Sequence, residues 1–76
     1  MKAYVLIKIR PGSIDEVVRN LRRLEGVLDA NMTFGPYDAV ATVQANDVGQ
    51  LGNLIAARIQ PITGVVETLT CLIAES

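Results

Sequence analysis

The feature that most constrains this chain is a hydrophobic period that switches from two to about 3.6 and back, twice over. From Ala3 to Ile9, Ala3, Val5, Ile7 and Ile9 alternate with Tyr4, Leu6 and Lys8, the pattern of a strand with two different faces. Pro11-Gly12 ends that run, and Ser13-Ile14-Asp15-Glu16 has the spacing of a capping box, so a helix is predicted to follow. Its apolar stripe is Val17, Val18, Leu21 and Leu24; Asp15, Glu16, Arg19, Asn20, Arg22 and Arg23 fall on the other side. Gly26 suits a left-handed helix end. Val27 to Phe34 and Asp38 to Ala45 read as two strands of a hairpin joined by Gly35-Pro36-Tyr37. Asp47, with Gln50 three residues on, can cap a second helix carrying Leu51, Leu54, Ile55 and Ile59 on one side. Gly49 and Gly52 weaken it, and Pro61 ends it near Gln60. Thr63-Gly64 turns the chain into a last strand, Val65 to Ala74, rich in β-branched residues.

The order βαββαβ predicts an α+β fold of the ferredoxin-like kind. Right-handed crossovers put both helices on one face of a four-stranded antiparallel sheet with strand order 4-1-3-2. Seventy-six residues make a single domain, here 1–76, and such a length leaves a marginal core. Half the residues are hydrophobic and 20% are charged, which excludes a disordered chain. Two helices cover one sheet face only. Tyr4 and Leu6 are predicted on the other, and the last strand offers either Leu69, Cys71 and Ile73 or Val66, Thr68, Thr70 and Leu72 to it. Either set leaves apolar side chains bare, so two sheets are expected to stack face to face in a twofold dimer, a dimeric α+β barrel.

Charge and residue usage narrow the function. Seven Lys+Arg against eight Asp+Glu give a net charge of −1, without the cationic excess that neutralises phosphates, so direct nucleic-acid binding is not expected. The chain has no histidine, which removes the commonest general base and metal ligand. Its one cysteine forms no intrachain disulfide or thiolate cluster, and Cys71 reads as a small core residue. No metal, cofactor or membrane span is expected, and a cytoplasmic protein is the reading.

Two segments could carry a ligand. In Thr33-Phe34-Gly35-Pro36-Tyr37-Asp38, Gly35 permits a positive φ angle, and the Asp38 carboxylate can point off the strand end to meet a ligand ammonium while loop amides meet a carboxylate. The same residues would also make an ordinary hairpin turn. In Glu67-Thr68-Leu69-Thr70, the hydroxyls of Thr68 and Thr70 project from one face, as a zwitterion site or as plain strand threonines. The Arg19, Arg22 and Arg23 cluster reads as a solvated helix face.

Gly35-Pro36-Tyr37-Asp38 leading into Ala39-Val40-Ala41-Thr42-Val43, with Ile62-Thr63-Gly64-Val65 leading into Glu67-Thr68-Leu69-Thr70, resembles the ligand-sensing (RAM) domain of the Lrp/AsnC feast/famine regulators over essentially the whole chain. The resemblance implies sheet-to-sheet dimers that assemble further into octamers or decamers. It also implies amino-acid effectors bound near the turn and the fourth strand, at Gly35, Tyr37 and Asp38 with Thr68 and Thr70. Full-length relatives carry a helix-turn-helix that this sequence lacks, so the expected role is transcriptional regulation of amino-acid metabolism by co-assembly with a full-length regulator rather than by direct DNA contact. A small dimeric α+β barrel enzyme and a purely structural assembly module are the alternatives.

Overall fold

A computed structural model describes residues 1–74. The strands are β1 (Lys2–Ile9), β2 (Val27–Met32), β3 (Ala39–Gln44) and β4 (Val65–Leu72); the helices are α1 (Ile14–Arg22) and α2 (Val48–Asn53). The sheet is antiparallel with order β2-β3-β1-β4, the expected ferredoxin-like topology. The core lies between the sheet and the helices. Ala3, Val5, Ile7 and Ile9 of β1 and Ala39, Ala41 and Val43 of β3 meet Val17, Val18 and Leu21 of α1, with Leu51, Leu54, Ile55 and Ile59 beyond them. Ile7, Leu21 and Ile59 are wholly buried, and truncating any of them to alanine costs ~2–5 kcal/mol.

Three local expectations are corrected. Ser13 makes no side-chain capping bond; its φ of −110° and ψ of 3° are not the extended cap geometry. Instead Arg10 N donates to the Gly64 carbonyl at 2.8 Å and Ser13 N to Arg10 at 3.1 Å, which docks this turn on the chain before β4. The second helix is not α-helical to its end. After Asn53 it widens into a π-helical segment, Leu54–Ile59, whose last bond runs from Gln60 N to the Ile55 carbonyl at 2.8 Å. Asp47 does cap the helix, accepting from Gln50 N at 2.8 Å. Cys71 is exposed rather than in the core.

The reason for that last correction is register. In β4, Thr68, Thr70 and Leu72 pair with the buried residues Ile7, Val5 and Ala3, so they share the helix-bearing side. Leu69 and Cys71 pair with Leu6 and Tyr4 and belong to the open face. Two rows therefore cross that face, Asn31-Val40-Leu6-Leu69 and Asp29-Thr42-Tyr4-Cys71. Tyr4 and Leu69 are each 48% exposed, as a sheet face without cover requires.

Candidate ligand-binding site

The turn between β2 and β3 is pinned at its base. Thr33 N donates to the Asp38 carbonyl at 3.0 Å, and Thr33 Oγ1 donates to the Tyr37 carbonyl at 2.8 Å. Gly35 takes φ +147°, with open space where a Cβ would stand. Phe34, beside it, is fully exposed. Asp38 does more than end a turn. Its N–H donates to the Ile7 carbonyl at 2.9 Å, and its Oδ2 accepts from Ile9 N at 2.7 Å, so main chain and side chain together lengthen the β1–β3 ladder. The carboxylate thus folds back onto β1 and does not stand clear of the strand end. Oδ1 lies outside that bond. The Lys8 ammonium sits 5.7 Å from the centre of the Tyr37 ring, within cation–π range.

The other half of the expected site is elsewhere. Ile7 pairs with Ala39 on one side and Thr68 on the other, so β1 separates the turn from Thr68 by two strand spacings, ~10 Å. Thr68 and Thr70 also face the helix-bearing side. One copy brings Gly35, Tyr37 and Asp38 together in a single turn and does not bring Thr68 or Thr70 beside them.

Among the described residues, clefts of about 360 Å3 open at these places. One, among Glu25, Gln44, Asn46 and Gln50, lies at the end of the sheet remote from the turn. Another is lined by Gln60, Val65, Val66, Glu67 and Thr68, with Gln60 Nε2 donating to Thr68 Oγ1 at 3.0 Å. Sequence reasoning missed Gln60 and Lys8. Alternation puts Lys8 on the open side of β1, but no linear signal couples it to Tyr37, and the Gln60–Thr68 bond follows from the π-helical exit of the second helix.

An antiparallel sheet of this order, roofed by helices on one side and bare on the other, with a polar turn and a cleft at its margins, defines a ferredoxin-like α+β domain. The chain belongs to the Lrp/AsnC ligand binding domain family, whose sequence profile matches residues 2–76. It is 32% identical over 63 residues to the HTH-type transcriptional regulator Ptr1 of Methanocaldococcus jannaschii, covering 83% of this chain and 43% of that protein. The chain spans about half the length of the curated relatives it matches. Among solved structures, TTHA0845 from Thermus thermophilus superposes with a TM-score of 0.93 at 31% identity, covering 99% of this chain and 94% of that one. The transcriptional regulator NMB0573 from Neisseria meningitidis, solved with L-Met, shares the fold with a TM-score of 0.87 at 16% identity, covering 97% of this chain and 49% of that one. These curated relatives are named HTH-type transcriptional regulators. No helix among the described residues is long and apolar enough to cross a membrane.

Proposed function

We propose that this chain is an effector-binding module that takes a small amino acid at a seam between copies and acts on transcription by co-assembling with full-length Lrp/AsnC regulators. The observation that carries the reading is the family match over residues 2–76 of a 76-residue chain. NMB0573, of the same fold, was solved as a complex with L-Met, which supports an amino acid as the ligand class. Asp38 supplies a carboxylate for the ligand ammonium through Oδ1; the turn amides and the hydroxyls of Thr68 and Thr70 supply donors for the ligand carboxylate. Because those groups lie on separate surfaces of one copy, the complete site needs the turn of one copy and the β4 side of another. The open face, with Leu6 between Val40 and Leu69, is the surface on which two sheets stack. A ligand bound only by the assembled form stabilises assembly. The module contacts no DNA itself, consistent with a net charge of −1, and works in the cytoplasm beside its partners.

The test is isothermal titration with the twenty amino acids, combined with light scattering in the presence and absence of each. At least one should bind to the wild-type chain and shift its assembly, and Asp38→Ala should lose that binding. Flat titrations with an intact oligomer would replace this reading with a purely structural assembly module.

A further inference from the structure

The free edge of β2 is not used by the function proposed above. Thr33 N donates to the Asp38 carbonyl at 3.0 Å and Gln44 N to the Gly26 carbonyl at 2.8 Å, so the even-numbered residues at and beside β3 are the ones that bond to β2. Asp29 and Asn31 pair with Thr42 and Val40 and turn their main chains inward. Ala30 and Met32 pair with Ala41 and Ala39 and turn theirs off the sheet. β2 is an edge strand, which leaves the Ala30 N–H and the Met32 N–H and carbonyl in an open ladder. Met32 is half-exposed on the helix-bearing side, and Phe34, just past the strand, is fully exposed. Open edges of this kind are templates for a further strand.

The arginines of α1, which read from the sequence as a solvated face, are tied to that edge. Arg22 Nε donates to the Ala30 carbonyl at 2.9 Å, so this side chain leans over the strand. Its two terminal amino groups lie outside that bond, and they are the pair a guanidinium presents to a carboxylate. Arg19 stands about one helical turn, ~5.4 Å, earlier on the same side of the helix. α1 delivers the chain to the start of β2 through a short turn, so the two run in opposite directions. Stepping from Arg22 back to Arg19 therefore matches stepping from Ala30 to Met32, ~6.6 Å along the strand. Arg19, Arg22 and Arg23 are three of the chain's seven Lys+Arg, and all three are exposed. An acidic strand laid on this edge sets its carboxylates opposite Arg19 and Arg22. A second copy does not fit in the same way: β2 paired with β2 puts two arginine stripes side by side, and like charges across a ladder repel.

We propose that the β2 edge is a docking site for an acidic, extended segment of another protein, which adds to the sheet as an antiparallel strand with its carboxylates against Arg19 and Arg22. In that register the residues opposite Ala30 and Met32 share their side of the sheet and exchange hydrogen bonds with them. The acidic side chains and the bonding main-chain amides of the partner therefore belong to the same residues.

The experiment is fluorescence anisotropy of the full chain with labelled eight-residue peptides of alternating glutamate and threonine. The plain peptide should bind, and its lysine-for-glutamate counterpart should bind about tenfold or more weakly. N-methylation of every glutamate amide removes the donors that face Ala30 and Met32 and should lower the affinity about tenfold, whereas N-methylation of every threonine amide should leave it unchanged. Arg19→Glu and Arg22→Glu should each weaken binding about tenfold. Met32→Pro deletes an outward N–H, which an edge strand tolerates, and should weaken it too. Circular dichroism melting checks the fold of each variant, and Arg19→Glu, at an exposed position, carries the test if Arg22→Glu or Met32→Pro fails to fold. A plain peptide that does not bind at up to about 1 mM overturns the proposal. Equal binding of the two N-methylated peptides overturns strand addition, and unchanged binding in Arg19→Glu overturns the arginine contact. If light scattering gives Met32→Pro fewer subunits than wild type, the occupant of this edge is a second copy and the proposal fails.

Discussion

Replacing Asp38 should separate its structural work from its ligand work. In the fold its Oδ2 accepts from Ile9 N at 2.7 Å in a partly buried setting. A hydrogen bond to a charged partner contributes ~1.5–3 kcal/mol, against ~1 kcal/mol for a neutral one. Ile9 is only 5% exposed, so in Asp38→Ala its N–H is left with poor access to water, and the loss should be about 2 kcal/mol. Asp38→Asn keeps a carbonyl oxygen in the same place and should cost about 1 kcal/mol. For a domain of 76 residues these correspond to falls in melting temperature of roughly 8–16 °C and 4–8 °C. Guanidinium unfolding followed by circular dichroism, at one fixed protomer concentration, reads the difference. Both variants remove the negative charge, so both should lose amino-acid binding while differing in stability. An alanine variant within about 0.5 kcal/mol of wild type, or an asparagine variant as damaged as the alanine one, would refute the assignment of the Ile9 bond as a ladder extension.

Leu6→Glu places a charge between Val40 and Leu69 on the open face and should convert a sheet-stacked dimer to monomer by light scattering; the exposed Cys71 in the neighbouring row should then react faster with a thiol reagent than in wild type. Gly64→Ala should destabilise the fold by about 2 kcal/mol or more, because φ is +104° and the added Cβ would come within 2.8 Å of Ser13 Cβ and 3.0 Å of Val17 Cγ2, whereas Gly35→Ala meets open space and should cost about 1 kcal/mol, both read by chemical denaturation. Asp47→Ala removes the cap on Gln50 N and should cost ~1 kcal/mol in the same assay, with amino-acid titrations unchanged.

The element order, the strand order and most of the core follow from the residues alone. The alternation in Ala3 to Ile9, the stripe Val17-Val18-Leu21 and the punctuation at Pro11, Gly26 and Pro61 act over a few positions, where period and turn chemistry are local properties. The turn carrying Gly35, Tyr37 and Asp38 was legible for the same reason. What each of those side chains touches was not. The carboxylate of Asp38 finds a donor 29 positions away, at Ile9, and Lys8 finds the Tyr37 ring from the far side of a crossover.

Residue order could not choose between the two faces of β4, because side chains alternate and a shift of one position exchanges them all. The extra residue at Val66 makes that choice. It sends Leu69 and Cys71 to the open face and turns Thr68 and Thr70 toward the helices, where Gln60 reaches Thr68. Local sequence therefore determined which strands and helices exist and how they connect. Only the packed structure decided which surface each hydroxyl and thiol occupies, since that depends on where one unpaired residue falls when distant strands dock.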